Sequence, residues 1–432
     1  MSMALRAVAE INLAAIERNA ARLRACLATS TELCAVVKAD GYGHGHAQVA
    51  RAALKGGATR LAVATAQEAL ELREAGVCGV RLLVLGAISP QELPLAVAAA
   101  AEVVVWDQSF LSQLSHAARS AGRPIGVHVK LDSGLGRLGN RSITAAVALA
   151  EAVITTPGLL LSGAMTHFAT ADEDGLTFME EQLRCFEQFA GPVGALVAAN
   201  GASSAPTVLA AAGAAGAAEA ASNAHAAQGQ AATAVPGEAP YPSFTVHAAN
   251  SAATLRAPHS HYDMVRAGIA LYGADPMNRD PTIHGLEPAL ALRSYVAAVK
   301  LAKAGESVGY GRHFIADRAT LIATIPIGYG DGLPRRLVNN CEVLIGGRSY
   351  PLCGMVSMDN ITVELGPPAR QDAQETPVKV GDTVTIIGDD GALTQRAEAL
   401  AHRLQTINYE VFCMISRRVP RKYHRDGIAV DG

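Results

Sequence analysis

About eight short apolar runs of strand type, each followed by a helical pattern, fill the first two-thirds of the chain, and this alternation restricts the fold more than any other feature. The runs are Val36 to Lys38, Leu61 to Ala64, Leu82 to Leu85, Val103 to Val105, Val127 to Leu131, Leu160 to His167, Phe244 to Ala248 and Met264 to Ala270. Helix starts stand between them. Thr65-Ala66-Gln67-Glu68 and Ser89-Pro90-Gln91-Glu92 read as capping boxes, the second with Pro at the first helical position. Asn12 is a candidate N-cap ahead of Leu13, Ile16, Ala20, Leu23 and Leu27, which recur at helical spacing. Such β/α units in series predict a (β/α)8 TIM-like barrel, whose active site gathers at the C-terminal ends of the strands.

The pattern changes near Leu286. Short runs rich in Val, Ile and Thr then alternate with Gly turns: Thr320 to Ile327, Cys341 to Ile345, Ile361 to Leu365 and Thr383 to Ile387. Helical pattern returns only over Gln395 to Leu404. A barrel over residues 1–285 and a mainly antiparallel β domain over 286–432 are expected. The stretch from about Gly191 to Pro242 belongs to neither, being dominated by Ala with few large apolar groups. It reads as an insertion between the sixth and seventh units, with Val208 to Ala221 as a weak helix and no chemistry of its own.

A net charge of -3 over 432 residues argues against a nucleic-acid partner, whose binding face is normally basic and clustered. No charged segment followed by an apolar one opens the chain, so no signal peptide is expected. The apolar region from Leu82 to Trp106 is broken by Pro90, Glu92 and Pro94, which argues against a membrane span. Seven cysteines without CxxC spacing suggest neither a disulfide framework nor zinc, and a reducing, cytoplasmic setting is the simpler expectation. His44, His46, His259 and His261 lack a supporting third ligand at either place, so no metal site is expected.

Lys38 ends the run Leu33-Cys34-Ala35-Val36-Val37, and a glycine-rich loop, Ala39-Asp40-Gly41-Tyr42-Gly43-His44-Gly45, follows at once. An amine at a strand tip can lose hydration, drop its pKa and become a nucleophile toward carbonyls. Alone the pattern is weak, since many strand tips carry a Lys beside a Gly turn. Barrels also tend to bind phosphate with the loops after their seventh and eighth strands. Here those loops hold Asn250-Ser251 and Gly268-Ile269, each of which alone is equally an ordinary turn.

Together these segments resemble those of the alanine racemases. The likeness rests on Ala35-Val36-Val37-Lys38-Ala39-Asp40-Gly41-Tyr42-Gly43-His44-Gly45, on Lys130-Leu131-Asp132-Ser133-Gly134-Leu135-Gly136-Arg137-Leu138-Gly139, and on Thr166-His167-Phe168-Ala169-Thr170-Ala171-Asp172. It continues through His247-Ala248-Ala249-Asn250-Ser251, Val265-Arg266-Ala267-Gly268-Ile269-Ala270-Leu271-Tyr272-Gly273, Val308-Gly309-Tyr310-Gly311, Met358-Asp359 and Ile407-Asn408-Tyr409-Glu410. It covers nearly the whole chain outside the Ala-rich stretch. Leu135 and Ser357 depart from residues common in the family, at places where no direct chemistry is expected.

The resemblance implies pyridoxal 5'-phosphate as cofactor and interconversion of L- and D-alanine by two bases. Lys38 would hold the cofactor and act on one face of the substrate Cα, and Tyr310 on the other. An ordinary Tyr has a pKa of ~10, and His167 followed by Arg266 matches the family's relay for lowering it. Arg266 would face the pyridine nitrogen and, as a permanent donor, leave it largely unprotonated. Arg137 would hydrogen-bond the cofactor's phenolic oxygen and the substrate carboxylate. Lys130 matches a lysine that many members carry as a carbamate. Tyr42, Ser251, Gly268, Ile269 and Tyr409 would surround the phosphate, Met358 and Asp359 would meet the substrate carboxylate, and Tyr329 would line a narrow entrance.

The family builds each site from two subunits, so a homodimer with shared active sites is expected. A broad-specificity racemase would use the same bases with a wider entrance. A decarboxylase of the same barrel class should show an acid at the pyridine nitrogen, so Arg266 counts against it. A non-catalytic pyridoxal phosphate-binding protein is usually the barrel alone, so the second domain counts against that.

Overall fold

The apolar runs of the first two-thirds become parallel strands, and each ends within a few residues of its expected limit. After an N-terminal strand β1 (Ala7–Asn12) come β2 (Glu32–Val36), β3 (Arg60–Val63), β4 (Arg81–Val84) and β5 (Glu102–Val105). They continue with β6 (Ile125–Lys130), β7 (Leu159–Met165), β8 (Thr245–His247) and β9 (Met264–Ala267). The computed structural model describes residues 5–200, 244–368 and 377–430. Contacts divide the chain into two units, one of residues 23–38 and 57–268, the other of residues 1–22, 39–56 and 269–432.

The first unit holds an eight-stranded, barrel-like sheet in the order β8-β7-β6-β5-β4-β3-β2-β9, with every pairing parallel. β3 and β5 are buried at every residue, which is why they read as unbroken runs rather than as alternation. The Thr65 capping box forms: Glu68 N–H donates to Thr65 Oγ1 at 3.1 Å, and Thr65 N–H donates to the Glu68 carboxylate at 3.2 Å. The Ser89 segment behaves differently. Ser89 and Glu92 close a turn on each other, and the helix Leu93–Ala98 begins after it with Pro94 in its first turn. Pro90 therefore precedes the helix, because the Glu92 carboxylate bonds back to Ser89 before helical backbone has started.

The Ala-rich stretch begins later than expected. The helix Thr177–Ala199 runs past Gly191 and buries Val193 and Val197, the last large apolar groups before the stretch turns to alanine. The expected helix from Val208 to Ala221 lies outside the described residues.

The second unit is mainly antiparallel. Leu290–Tyr295 pairs with β1 on one side and Thr383–Asp390 on the other, both antiparallel, while β1 pairs in parallel with Arg421–Arg425. A three-stranded antiparallel sheet joins Ala298–Ala302, Thr320–Ile325 and Ile361–Gly366. β1 alternates, with Ala7, Ala9 and Ile11 inside. Asn12 then caps the helix Leu13–Ala25, its side-chain oxygen accepting from Ala14 N–H at 3.1 Å and Ala15 N–H at 3.4 Å. Leu27 lies beyond that helix.

Candidate active site

In the barrel unit, Lys38, Lys130, His167, Ser251, Arg266 and Gly268 lie at or just beyond the C-terminal ends of strands, with Arg137 on the loop after β6. β2 and β9 are neighbours, with Cys34 opposite Arg266, so adjacent strands deliver Lys38 and Arg266. Val37 N–H still pairs with Ala62 carbonyl at 2.8 Å, and the strand geometry ends there.

The residues after Lys38 form a left-handed turn rather than an irregular glycine loop. Ala39, Asp40, Gly41 and Tyr42 all have positive φ, at 52°, 54°, 62° and 51°. For non-glycine residues this conformation is costly, and it persists where surrounding bonds over-determine it. Asp40 Oδ1 supplies two of them, accepting from His46 N–H at 3.0 Å and standing 2.9 Å from His46 Nδ1.

Arg266 is buried and held from several sides. One terminal nitrogen donates to His247 Nδ1 at 2.6 Å; the other donates to the carbonyls of Thr166 and Ala248, each at 2.8 Å, and faces His167 Nδ1 at 3.2 Å. A guanidinium only donates, so His167 Nδ1 carries a lone pair and its proton sits on Nε2. Burial, with the cations Arg266, Lys130, Arg137 and Lys38, pushes His167 well below the ordinary imidazole range. His167 is thus neutral. Burial also lowers Arg266, to about 10, which leaves it protonated near neutrality.

Lys130 is buried, and its desolvation together with the charges of Arg266 and Arg137 lowers its pKa to about 8. The loop that follows wraps around Asp132, whose carboxylate accepts from the N–H groups of Gly134 at 3.2 Å and Gly136 at 2.9 Å. Gly139, at φ 126°, is obligatory: a Cβ there would stand 2.6 Å from Asp132 N. Arg137 projects from this tied loop and is exposed. Ser251 opens the helix Ser251–Arg256 behind its cap Asn250, and Gly268 N–H donates to Ser251 Oγ at 2.8 Å, joining the two loops expected to hold a phosphate.

In the second unit Tyr42 is buried against Tyr272, ring centres 4.9 Å apart, and lies 6.1 Å from the Tyr409 ring. His44 packs on Tyr272 at 4.6 Å and Phe412 at 4.9 Å, and its Nδ1 lies 2.9 Å from the Tyr42 carbonyl. Burial lowers His44 to about 4. Ile269 is fully buried at the start of the short helix Ile269–Tyr272.

Tyr329 and Met358 lie on loops joined through the backbone: Tyr329 N–H donates to Ser357 carbonyl at 3.0 Å, and Gly330 N–H to Met358 carbonyl at 2.9 Å. Four charges clasp the pair. Buried Asp331 meets Arg6 and, at 3.6 Å, Arg418; Arg418 binds Asp359 at 2.7 Å, and Arg6 donates to the Asp359 carbonyl at 3.0 Å. Tyr310 sits on a separate hairpin between Ser307–Val308 and Phe314–Ile315. Tyr310, Tyr329 and Met358 are exposed by 73%, 42% and 51%.

The histidines weighed as metal ligands have other partners: His46 pairs with Asp40, His259 with Glu180 at 2.9 Å, and His261 with the Thr254 carbonyl at 3.0 Å. Sequence reasoning missed Glu102, His128 and His247, which stand behind Arg266 in the barrel interior. The available signal was their place inside otherwise apolar strands, Glu102-Val103-Val104-Val105, Val127-His128-Val129 and Thr245-Val246-His247.

The family model described as "Alanine racemase, N-terminal domain" matches residues 11–219 and 207–276, and "Alanine racemase, C-terminal domain" matches 289–423. The chain is 36% identical over 415 residues to an alanine racemase of Symbiobacterium thermophilum, covering 96% of each. It is 37% identical over 422 residues to one of Geobacillus stearothermophilus, covering 96% of this chain and 93% of that one. Among solved structures it is similar to the alanine racemase of Bacillus anthracis with bound L-Ala-P, at TM-score 0.80 and 31% identity, covering 100% of this chain and 98% of that one.

Proposed function

This chain belongs to the alanine racemase family, and from that premise we propose which of its residues carry the interconversion of L- and D-alanine. It is a pyridoxal phosphate-dependent isomerase. The single observation that carries the assignment of roles is Arg266: a buried cation that, among the described residues, pairs with no carboxylate and is fixed on the strand next to the one that delivers Lys38.

The residues present fit the cofactor. A donor-only group beside the ring suits an unprotonated pyridine nitrogen, Ser251 and the Gly268 amide lie together as small phosphate-binding groups, and Lys38 follows a strand end. Bound pyridoxal phosphate supplies an electron-withdrawing ring that acidifies the substrate Cα. Lys38 holds the cofactor and moves a proton on one face of that carbon. Tyr310 moves one on the opposite face, with neutral His167, protonated on Nε2, and Arg266 as the groups assigned to assist that transfer. Tyr42, Ser251, Gly268, Ile269 and Tyr409 are the residues we assign to the phosphate. Arg137, Met358 and Asp359 orient the substrate carboxylate, and Tyr329 narrows the entrance toward a methyl side chain. Lys130, with its lowered amine, is the residue to carry a carbamate that orients Arg137.

We further propose a homodimer in which Tyr310, Tyr329, Met358 and Asp359 serve the partner's cofactor, a role supported by the exposure of Tyr310, Tyr329 and Met358. In chain order, 1–285 would be the barrel domain and 286–432 the β domain. No helix of the described residues is long and apolar enough to cross a membrane, and a cytoplasmic enzyme supplying D-alanine for peptidoglycan or feeding alanine breakdown is proposed.

Incubation of purified protein with L-alanine in deuterated water, followed for α-deuteration and for the D-isomer, tests the two-base reading. Tyr310→Phe should abolish nearly all D-alanine formation, by ~10²–10⁴-fold. Deuteration without inversion in the wild type would show Lys38 acting alone and would overturn it.

A further inference from the structure

The hydrogen bonds behind Arg266 run in one direction through the barrel interior and end on a carboxylate. Arg266 donates to His247 Nδ1 at 2.6 Å; His247 Nε2 stands 2.9 Å from His128 Nδ1; His128 Nε2 stands 3.0 Å from Glu102 Oε2. Both imidazoles are fully buried, and Glu102 and Arg266 nearly so. The direction follows from chemistry. A guanidinium cannot accept, so His247 Nδ1 bears a lone pair, and its proton is on Nε2. That proton faces His128 Nδ1, which must then accept, leaving the His128 proton on Nε2 toward Glu102. Either histidine in cationic form would set one N–H against another. Burial pushes both below the ordinary imidazole range, in agreement with neutral rings.

Glu102 is the first residue of β5, so the chain of bonds starts at the strand ends opposite those that carry Lys38. Its carboxylate is fixed there by Arg81 at 2.6 Å and Arg60 at 3.6 Å, and Arg60 donates to Thr245 Oγ1 at 2.7 Å. Burial alone would raise the Glu102 carboxyl, but the His128 hydrogen bond and these two guanidinium groups outweigh it and hold it near 2. Barrel interiors are ordinarily filled by branched apolar side chains, and apolar replacement of a buried ionic network is often neutral or stabilising. Stability therefore does not account for this one, whereas orientation of a buried cation does.

We propose that Glu102 is a positioning residue for the reaction, fixing from the far end of the barrel the tautomers of His128 and His247 and through them the placement of Arg266. The proposal rests on Arg266 being the partner of the cofactor's ring nitrogen. Glu102 touches no reacting atom. Its negative charge biases the two neutral imidazoles to accept toward Arg266 and donate away from it, so that the guanidinium keeps one orientation although, among the described residues, no carboxylate pairs with it.

The experiment is ¹⁵N-histidine NMR on the holoenzyme, with Glu102→Met and Glu102→Gln and the kinetics of each. In the wild type both His128 and His247 should be neutral and protonated on Nε2; a cationic ring or an Nδ1–H tautomer at either overturns the proposal even if a variant fails to fold. Glu102→Met, which removes the acceptor, should give mixed tautomers at both rings and move the visible absorption band of bound cofactor. It should lower kcat per bound cofactor by about tenfold to a hundredfold, the size that outer orienting partners have at metal sites, with the KM for alanine little changed. Glu102→Gln keeps an acceptor and should recover most of that loss. Unchanged tautomers and unchanged kcat per bound cofactor in Glu102→Met would leave Glu102 a purely structural ion and sink the proposal. Arg266→Lys separates the two ideas: if it leaves the absorption band and kcat untouched, the assignment of Arg266 itself has failed.

Discussion

Replacing His44 by Asn should remove a pH-dependent component of stability whose size follows from the burial of one imidazole. His44 is fully enclosed by Tyr272 and Phe412, and its Nδ1 donates to the Tyr42 carbonyl. Burial lowers its pKa from 6.5 to about 4, with the Arg421 charge adding to the effect. The unfolded chain therefore takes up this proton first. Stability from neutral His44 is present above pH ~6.5 and is lost as pH falls toward ~4. The linkage relation gives a loss of ~0.2 kcal/mol at pH 7 and ~2 kcal/mol at pH 5. Asn retains a donor for the Tyr42 carbonyl but cannot take up a proton, and its loss of ring contacts adds an offset that pH does not change. Urea unfolding at fixed protomer concentration from pH 7.5 to pH 5 should show the two curves converging by ~2 kcal/mol, because other histidines contribute equally to both. Curves that stay parallel to within ~0.5 kcal/mol would refute the argument. Loss of cofactor on acidification should likewise be delayed in the variant if Tyr42 helps hold the phosphate.

Arg418→Ala opens the clasp on the Tyr329 and Met358 loops, so the KM for alanine should rise by more than about tenfold while kcat changes less; an unchanged KM in steady-state kinetics counts against those loops meeting substrate. Lys130, with its amine lowered to about 8, should react with carbon dioxide more readily than an ordinary lysine at pH 8. ¹³C-bicarbonate should then give a carbamate signal in the holoenzyme that Lys130→Arg lacks, and a wild-type spectrum without it would end that reading.

Much of this architecture was legible because apolar run length is set directly by burial. β3 and β5 are enclosed on both faces and appear as short unbroken runs that no helix period fits. β1 escaped notice because its inward residues are mostly alanine, Ala7 and Ala9 with Ile11, and alanine carries little strand signal. The Ser89 segment was misassigned because Ser-Pro-Gln-Glu suits a capping box and a turn equally, and here the Glu92 carboxylate closes the turn alone. Among the candidate functional positions, Lys38 was visible as a polar residue ending an apolar strand, and Arg266 as a charge inside one. Glu102, His128 and His247 have the same signature, but what unites them is registry from β5 to its neighbour β6 and on to β8, two strands away, which a linear sequence does not display. The Asp331–Arg6–Arg418–Asp359 clasp was hidden for the same reason: its members are far apart in the chain, and each looks like a surface charge.

The turn after Lys38 gives the sharpest check on how that lysine is presented. Ala39, Asp40 and Tyr42 are left-handed, at ~1–2 kcal/mol each for an L-residue. The backbone offsets this with Gly43 N–H to the Ala39 carbonyl at 3.0 Å, His44 N–H to Gly41 at 3.0 Å and Gly45 N–H to Asp40 at 2.8 Å. Ala39 is exposed and its methyl group serves no core. Ala39→Gly should therefore relieve ~1 kcal/mol of strain against ~0.5–1 kcal/mol of added unfolded-state entropy, leaving stability unchanged or slightly improved. Asp40→Gly relieves the same strain but deletes the carboxylate that holds His46, so it should lose ~1 kcal/mol or more of capping. The two variants share a backbone argument and differ only in a side chain, so denaturant unfolding separates strain from capping directly. If Ala39→Gly destabilised the protein by more than ~1 kcal/mol while Asp40→Gly did not, positive φ at Ala39 would be untenable, and Lys38 would have to leave its strand along some other path.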